Sequence, residues 1–254
     1  MNAVMEFPIV LTQPGTSRPC ATCDIRHASI CDAVPEANLA RLAAAAIGGI
    51  ARPGALFIEE AGAATAFFNI VSGTARLYKL LPDGRRQITG FVTGGDFLGL
   101  AATNLYAVSA EAIDTVRYCR FPHVRLHALM YDFPLLEKRL LKFAAAELVA
   151  AQEQMLLLGR KSARERVASF LMGRSRLSSN HHQSATHFFL PMARGDIADY
   201  LGMTIETVVR TLKKLRDDGM IEVSNTQDVV ILDRMSLQRL ADGRALYDSG
   251  RRTI

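Results

Sequence analysis

Residues 192–220, MARGDIADYLGMTIETVVRTLKKLRDDGM, decide how this chain is read. Asp196 to Leu201 suit a short helix, and Gly202 supplies the left-handed residue that a tight helix-to-helix turn needs. Thr204 is placed to cap a second helix, with Glu206 in its first turn, where the helix dipole favours a carboxylate. Gly219 ends that helix. Ile205, Val208, Leu212 and Leu215 share the side predicted to be buried, while Glu206, Val209, Arg210 and Lys213 share the other at spacings of three and four. That outward side has the chemistry of a major-groove reader. An arginine can bond guanine O6 and N7 together, and a carboxylate can accept from cytosine N4. Lys213, Lys214 and Arg216 would lie against phosphates. The plain alternative is a solvated helix face, but turn, caps and basic bias agree on double-stranded DNA as the partner. The run 221–233, IEVSNTQDVVILD, alternates as a hairpin around Asn225–Gln227 and would form a wing.

The charge of the whole chain points the same way. Its 254 residues carry 30 Lys and Arg against 25 Asp and Glu, a formal charge of +5. Residues 159–254 hold 16 basic against 11 acidic side chains and the rest 14 against 14, so the excess of five lies entirely in the last part. A neutral front and a basic back suit an anionic partner for the back. With 49% hydrophobic residues the chain is globular. No uncharged apolar run approaches the ~18 residues a bilayer requires, and MNAVMEFPIVLTQPG lacks the basic start and apolar core of a secretory signal. A cytoplasmic protein away from membranes is expected. An enzyme is not, because the sequence holds no G-x-S-x-G, H-E-x-x-H or Walker pattern.

Upstream of the opening segment, 162–180 reads as an amphipathic helix, followed by a polar loop at 178–183 whose adjacent His181 and His182 are read as solvated. Between 135 and 158, Leu140, Ala144, Leu148, Ala151, Met155 and Leu158 recur every three to five residues down one face. A helix this long with such a stripe suits pairing with a second copy of itself; the alternative is packing on its own barrel. Residues 52–121 alternate short apolar runs with turn signals at Pro53-Gly54, Ser72-Gly73, Asp83-Gly84 and Gly94-Gly95, the pattern of an antiparallel roll. An alanine-rich helix is expected at 35–47 and a loose arm at 1–19. The chain is therefore expected to be α+β: an arm with cysteines (1–34), a β-roll (35–134), a dimerisation helix (135–160) and a winged helix-turn-helix (161–254).

All four cysteines remain to be placed. Cys20, Cys23 and Cys31 form a C-x2-C-x7-C cluster, and Cys119 stands alone. A chain with a core this large does not need disulfide staples, so the cluster reads first as metal ligation. The residues alone allow three forms: four thiolates on an iron–sulfur cluster, a structural zinc with His27 completing the local set, or unrelated thiols with Cys119 buried as a small hydrophobe.

Taken together, a β-roll, a long helix and RGDIADYLGMTIETVVRTLKKLRDDGMIEV at 194–223 resemble the Crp/Fnr family of bacterial transcription regulators, with GDFLGL at 95–100 and MLLLGRKSARERVASFL at 155–171 in support. The similarity runs from Cys20 to about Leu240. The cysteines, with Cys119-Arg120-Phe121-Pro122, resemble the Fnr-like oxygen-responsive branch, and the C-x2-C-x7-C spacing its alphaproteobacterial variant. The resemblance implies a cupin-like roll of the cyclic-nucleotide-binding type. It implies a [4Fe–4S] cluster on Cys20, Cys23, Cys31 and Cys119, oxygen control of homodimerisation, and binding to a palindromic TTGA-like site. RNA polymerase would be met partly through the loop at Asp83-Gly84-Arg85-Arg86, which reads equally as a solvated hairpin tip. Zinc, thiol redox, haem and nitric oxide, or a partner protein are the alternative inputs. Two departures matter. The family's recognition helix usually reads Glu-x-x-Ser-Arg, whereas here Val209 precedes Arg210, able to touch a thymine methyl but not to hydrogen-bond a base. Cyclic-nucleotide binders carry an Arg-Ser pair for the phosphate, whereas Val108-Ser109-Ala110 stands here, so no cyclic nucleotide is expected. The DNA contacts are assigned to Thr204, Glu206, Val209, Arg210, Lys213 and Lys214.

Overall fold

The computed structural model describes residues 4–8, 20–180, 184–225 and 227–244. The chain is α+β and divides into two compact units, with the boundary after Val149.

The first unit is built on short antiparallel strands. It contains β1 (Val4–Pro8), α1 (Leu39–Ala45), β2 (Ile47–Ala51), β3 (Leu56–Ile58), β4 (Ala66–Ser72), β5 (Ala75–Leu80), β6 (Arg86–Val92), β7 (Phe97–Leu98), β8 (Ser109–Ala112), β9 (Val116–Pro122) and α2 (His123–Asp132). One sheet runs in the order β1-β2-β9-β4-β7 and the other β3-β8-β5-β6. Alternation places Phe68, Ile70, Leu77, Val92, Ala110 and Tyr118 in one apolar cluster. Phe57 stacks on Tyr118 with ring centroids 5.3 Å apart. A second cluster lies where the helices meet the first sheet: Ile30, Cys31, Leu42, Phe121, Leu126, Leu136 and Leu140.

The structure corrects the expected order here in several places. Val4–Pro8 is a strand paired with β2 rather than part of a loose arm; residues 9–19 of that arm lie outside the described residues. The helix expected at 35–47 is shorter, because Ile47 already begins β2 and Gly48-Gly49 favours an extended path. Helix α2 was not anticipated, its turn of sequence being hidden behind the Pro122 that opens it.

Gly49 of β2 lies directly opposite Tyr118 of β9. A Cβ there would overlap the Tyr118 ring, and that ring is buried and held by Phe57 and Phe68. Gly49→Ala is expected to destabilise the first unit by about 1–3 kcal/mol through overpacking, read as a lowered denaturant midpoint. An unchanged midpoint would show that the ring yields freely.

Helix α3 (Pro134–Arg160) is continuous over 27 residues, and its apolar positions divide between two sides. Leu136 and Leu140 are buried in the first unit's helix-side cluster. Leu157 is also buried, and Ala144 and Leu158 are half-buried. Leu141, Leu148, Val149, Met155 and Leu156 are exposed. Of the six members of the expected stripe, Leu148, Ala151 and Met155 are open, while Leu140 is already occupied within its own chain. A 3.6-residue period shows that a stripe exists, not which of two apolar sides is covered.

The second unit continues with α4 (Ala163–Asn180), β10 (His187–Phe189), α5 (Arg194–Leu201), α6 (Ile205–Asp217), β11 (Ile221–Ser224), β12 (Asp228–Ile231) and α7 (Arg234–Ala241). Ser162 and Glu165 open α4 as a capping box: Ser162 N–H donates to the Glu165 carboxylate at 2.8 Å, and Glu165 N–H to the Ser162 hydroxyl at 3.4 Å. Helix α4 ends at Asn180, as the expected helix over 162–180 does, so Ser178-Ser179-Asn180 belong to it and not to the polar loop expected from 178; His181, His182 and Gln183 lie outside the described residues. The hairpin of β11 and β12 gains a third strand, β10, in the order β10-β12-β11. Among the described residues no helix is long and apolar enough to cross a membrane.

Candidate functional site

In the first unit the pairing of β9 sets the position of Cys119. It lies between Gly48 of β2 and Asn69 of β4, and all three residues face a cavity of about 640 Å³. Cys20, Cys23 and Cys31, the three N-terminal cysteines, line the same cavity, with Arg26, Leu42 and Phe121. The turns of residues 20–33 bring them there. Ser29 caps the short 3-10 turn Ile30–Ala33, its hydroxyl accepting from Cys31 N–H at 3.2 Å. Cys31 is part of the apolar cluster, and Cys20 and Cys119 pack against it.

Electrostatics link the four sulfurs. Burial pushes the Cys31 thiol up to about 12, with Cys20 and Cys23 adding to the effect and the Ser29 hydroxyl and Arg26 opposing it. Burial also raises Cys119 strongly, and Cys31, Cys20 and Cys23 raise it further. Cys20 is raised by burial and by Cys23. These thiols stay neutral until a cation shares their space. All four cysteines are free of disulfides. Among the described residues no three His, Cys, Asp or Glu side chains are arranged around one point for a single ion; the thiols share a cavity. His27, the candidate fourth zinc ligand, turns its Nδ1 to Asp32 at 2.8 Å instead. Asn69 is buried, and its Oδ1 has no hydrogen-bond partner; an isolated buried amide oxygen is costly unless something fills the space it faces.

In the second unit the helix-turn-helix is α5 and α6. Asp196 in the first turn of α5 accepts from Ala193 N–H at 3.2 Å. Gly202 closes α5 with φ 59° and ψ 48°, the left-handed conformation a side chain resists. Thr204 caps α6, its hydroxyl accepting from Thr207 N–H at 3.3 Å. Backbone and Thr204 hydrogen bonds hold the Glu206 carboxyl below its ordinary range, so it is ionised where the turn presents it. Val208, Leu212 and Leu215 are buried, while Glu206, Val209, Arg210, Lys213 and Lys214 are exposed together. Ile205, expected on the buried side, is 49% exposed, because the first residue of α6 projects past the core that its later turns cover. Sequence reasoning missed Arg166. Its guanidinium donates to Leu158 O at 2.8 Å, Lys161 O at 2.9 Å and Leu201 O at 2.9 Å, tying carbonyls at the end of α3 to the last carbonyl of α5 and steadying the turn into α6. The only signal was its place in ARER, indistinguishable from a solvated charge.

Family models match both units: a cyclic nucleotide-binding domain over residues 51–132 and a Crp-like helix-turn-helix domain over residues 165–240. The chain is 40% identical over 238 residues to the nitrogen fixation regulation protein FixK of Bradyrhizobium diazoefficiens, covering 93% of this chain and 99% of that protein. It is 47% identical to the transcriptional activatory protein AadR of Rhodopseudomonas palustris, over 74% of this chain and 77% of that one. Identity to the transcriptional activator protein FnrL of Cereibacter sphaeroides is 34%, over 90% and 91% of the two chains. Among solved structures, FixK2 from Bradyrhizobium japonicum superposes with a TM-score of 0.72 at 36% identity, covering 77% of this chain and 96% of that one.

Proposed function

The chain belongs to the Crp/Fnr family of transcription regulators, and from that premise we propose that it is an Fnr-type activator whose DNA binding is controlled by oxygen. One observation carries this reading: Cys119, far along the chain, faces the same cavity as Cys20, Cys23 and Cys31. Four thiols around one space are the donor set for a [4Fe–4S] cluster, and the residues fit it. Gly48, directly opposite Cys119, lines the cavity without a side chain, and Asn69 offers an unpartnered amide oxygen to whatever lies inside. Held there, the cluster supplies an oxygen-labile centre. The chain's own residues do the rest. The buried thiols must give up their protons on binding, so uptake releases protons, and Arg26 offsets part of the negative charge that results.

The output is the exposed side of α6. Arg210 and Glu206 would read the inner G·C pair of a TTGA-like half-site. Val209 would meet a thymine methyl, and Lys213 and Lys214 the phosphates, with Thr204 holding the helix entry. Two copies, paired along α3, present two such helices one DNA turn apart. The tip Asp83–Arg85, exposed with Arg85 turned back on Asp83 at 2.8 Å and followed by half-buried Arg86, is the surface offered to RNA polymerase. With Val108-Ser109-Ala110 in place of an Arg-Ser pair, no cyclic nucleotide is expected. A cytoplasmic location follows from this role.

Purification without oxygen is expected to give a brown protein with iron and acid-labile sulfide in equal, stoichiometric amounts. A colourless anaerobic preparation with stoichiometric zinc contradicts the cluster.

A further inference from the structure

One polar contact joins the cysteine segment to the first half of α3. The Arg139 guanidinium donates through Nη1 to Asp32 Oδ2 at 2.7 Å and through Nη2 to His27 O at 2.8 Å. His27 Nδ1 in turn lies 2.8 Å from Asp32 Oδ1. Asp32 directly follows Cys31, and Arg139 directly precedes the buried Leu140. Arg139 and Asp32 are each about one-third exposed or less, 28% and 34% for their side chains. The two segments also share an apolar contact, since Cys31, Leu136 and Leu140 belong to one cluster. Apolar packing of that kind is tolerant of small slides, whereas a two-donor fork onto two fixed acceptors is not. The fork therefore sets the register between the cysteine turn and the helix.

We propose that Arg139 is the positioning residue through which the state of the cysteine segment reaches α3. It touches none of the four sulfurs' cavity wall; it acts on Asp32 and on the His27 carbonyl. When residues 27–32 move, the acceptors move with them, and the fork passes the shift to the stretch of α3 that ends at exposed Leu141 and Leu148. The two acceptors come from different residues of the turn, so rotation of the turn, and not only its displacement, is transmitted. This inference rests on the proposed cluster on the four cysteines.

The test compares the full chain with Arg139→Gln and Arg139→Lys, measuring iron and sulfide content, dimer dissociation by sedimentation with and without oxygen exposure, and hydrogen exchange of residues 23–33 and 134–143 in the metal-free protein. Arg139→Gln is expected to keep the parent's iron and sulfide when prepared anaerobically. Its dimerisation should respond to oxygen roughly tenfold less than the parent's, a usual size for a coupling between sites. In the metal-free form its exchange should rise in both segments together. Arg139→Lys, which can reach one acceptor, should restore part of the response. The proposal is overturned if Arg139→Gln responds to oxygen as the parent does. It is also overturned if the variant loses iron and dimerisation together, since Arg139 then only keeps the cysteine turn folded. A parent chain that takes up no iron contradicts the cluster itself and removes the ground of the inference, an outcome visible before any variant is made.

Discussion

Leu148→Glu is expected to leave the protein folded and monomeric at concentrations where the parent sediments as a dimer. Leu148 is 61% exposed and sits on the open side of α3 with Leu141, Val149, Met155 and Leu156. Exposed large apolar side chains in such a row mark an association surface. In a two-fold pair every residue of the interface acts twice. Burying one leucine is worth about 1.5–3 kcal/mol, so losing two costs about 3–6 kcal/mol before the two new carboxylates are counted. At about 1.4 kcal/mol per factor of ten, that is a loss of roughly two to four powers of ten in dimer affinity. The circular dichroism spectrum should not change, because the side chain lies open in the single chain. Leu140→Glu is the contrast: Leu140 is buried within the first unit, and its substitution should unfold that unit instead. A Leu148→Glu protein that remains a dimer would show that the copies meet elsewhere.

Arg210→Ala carries the second large effect, on DNA. Arg210 is exposed on α6 beside Glu206 and Lys213. A bidentate arginine–guanine contact is worth about 1–3 kcal/mol of discrimination. On a palindrome the loss occurs in both half-sites, giving about 2–6 kcal/mol and a fall in affinity of about thirtyfold to ten-thousandfold. Preference for G at the contacted position should relax as well. Lys213→Ala should lower affinity evenly across sequences and flatten the salt dependence by about one phosphate per half-site. Fluorescence anisotropy with matched and mismatched duplexes separates the two. If Arg210→Ala binds the matched duplex like the parent, α6 is not read through this side chain.

The sequence was most legible where the signals are local. Gly202 and Thr204 each fix one backbone turn, and both do so through their own chemistry, a missing Cβ and a capping hydroxyl. Ile205 was misplaced because helical periodicity does not say where the covering core stops. Periodicity on α3 has the same blind spot, since the helix carries two apolar sides and serves its own core with Leu136 and Leu140. Strand β1 was missed because its partner, β2, lies some forty residues on, and pairing at that range leaves no local trace. The cysteine spacing pointed to a site, yet it said nothing of where Cys119 would stand. That depends on the register of β9 against Gly48 and Asn69. The Arg139 fork and the Arg166 cap escaped entirely, because an arginine whose acceptors are backbone carbonyls or a carboxylate a hundred residues away looks in sequence like any surface charge.

The proposed oxygen-labile site in the first unit and DNA binding in the second are tested together by one titration. A duplex bearing a TTGA-like palindrome is bound by protein prepared without oxygen, and the same sample is titrated again after exposure to air. The expected result is tight, dimeric binding before exposure and loss of specific binding afterwards, with bleaching of the visible absorbance in step. Specific binding of equal strength before and after exposure would contradict it.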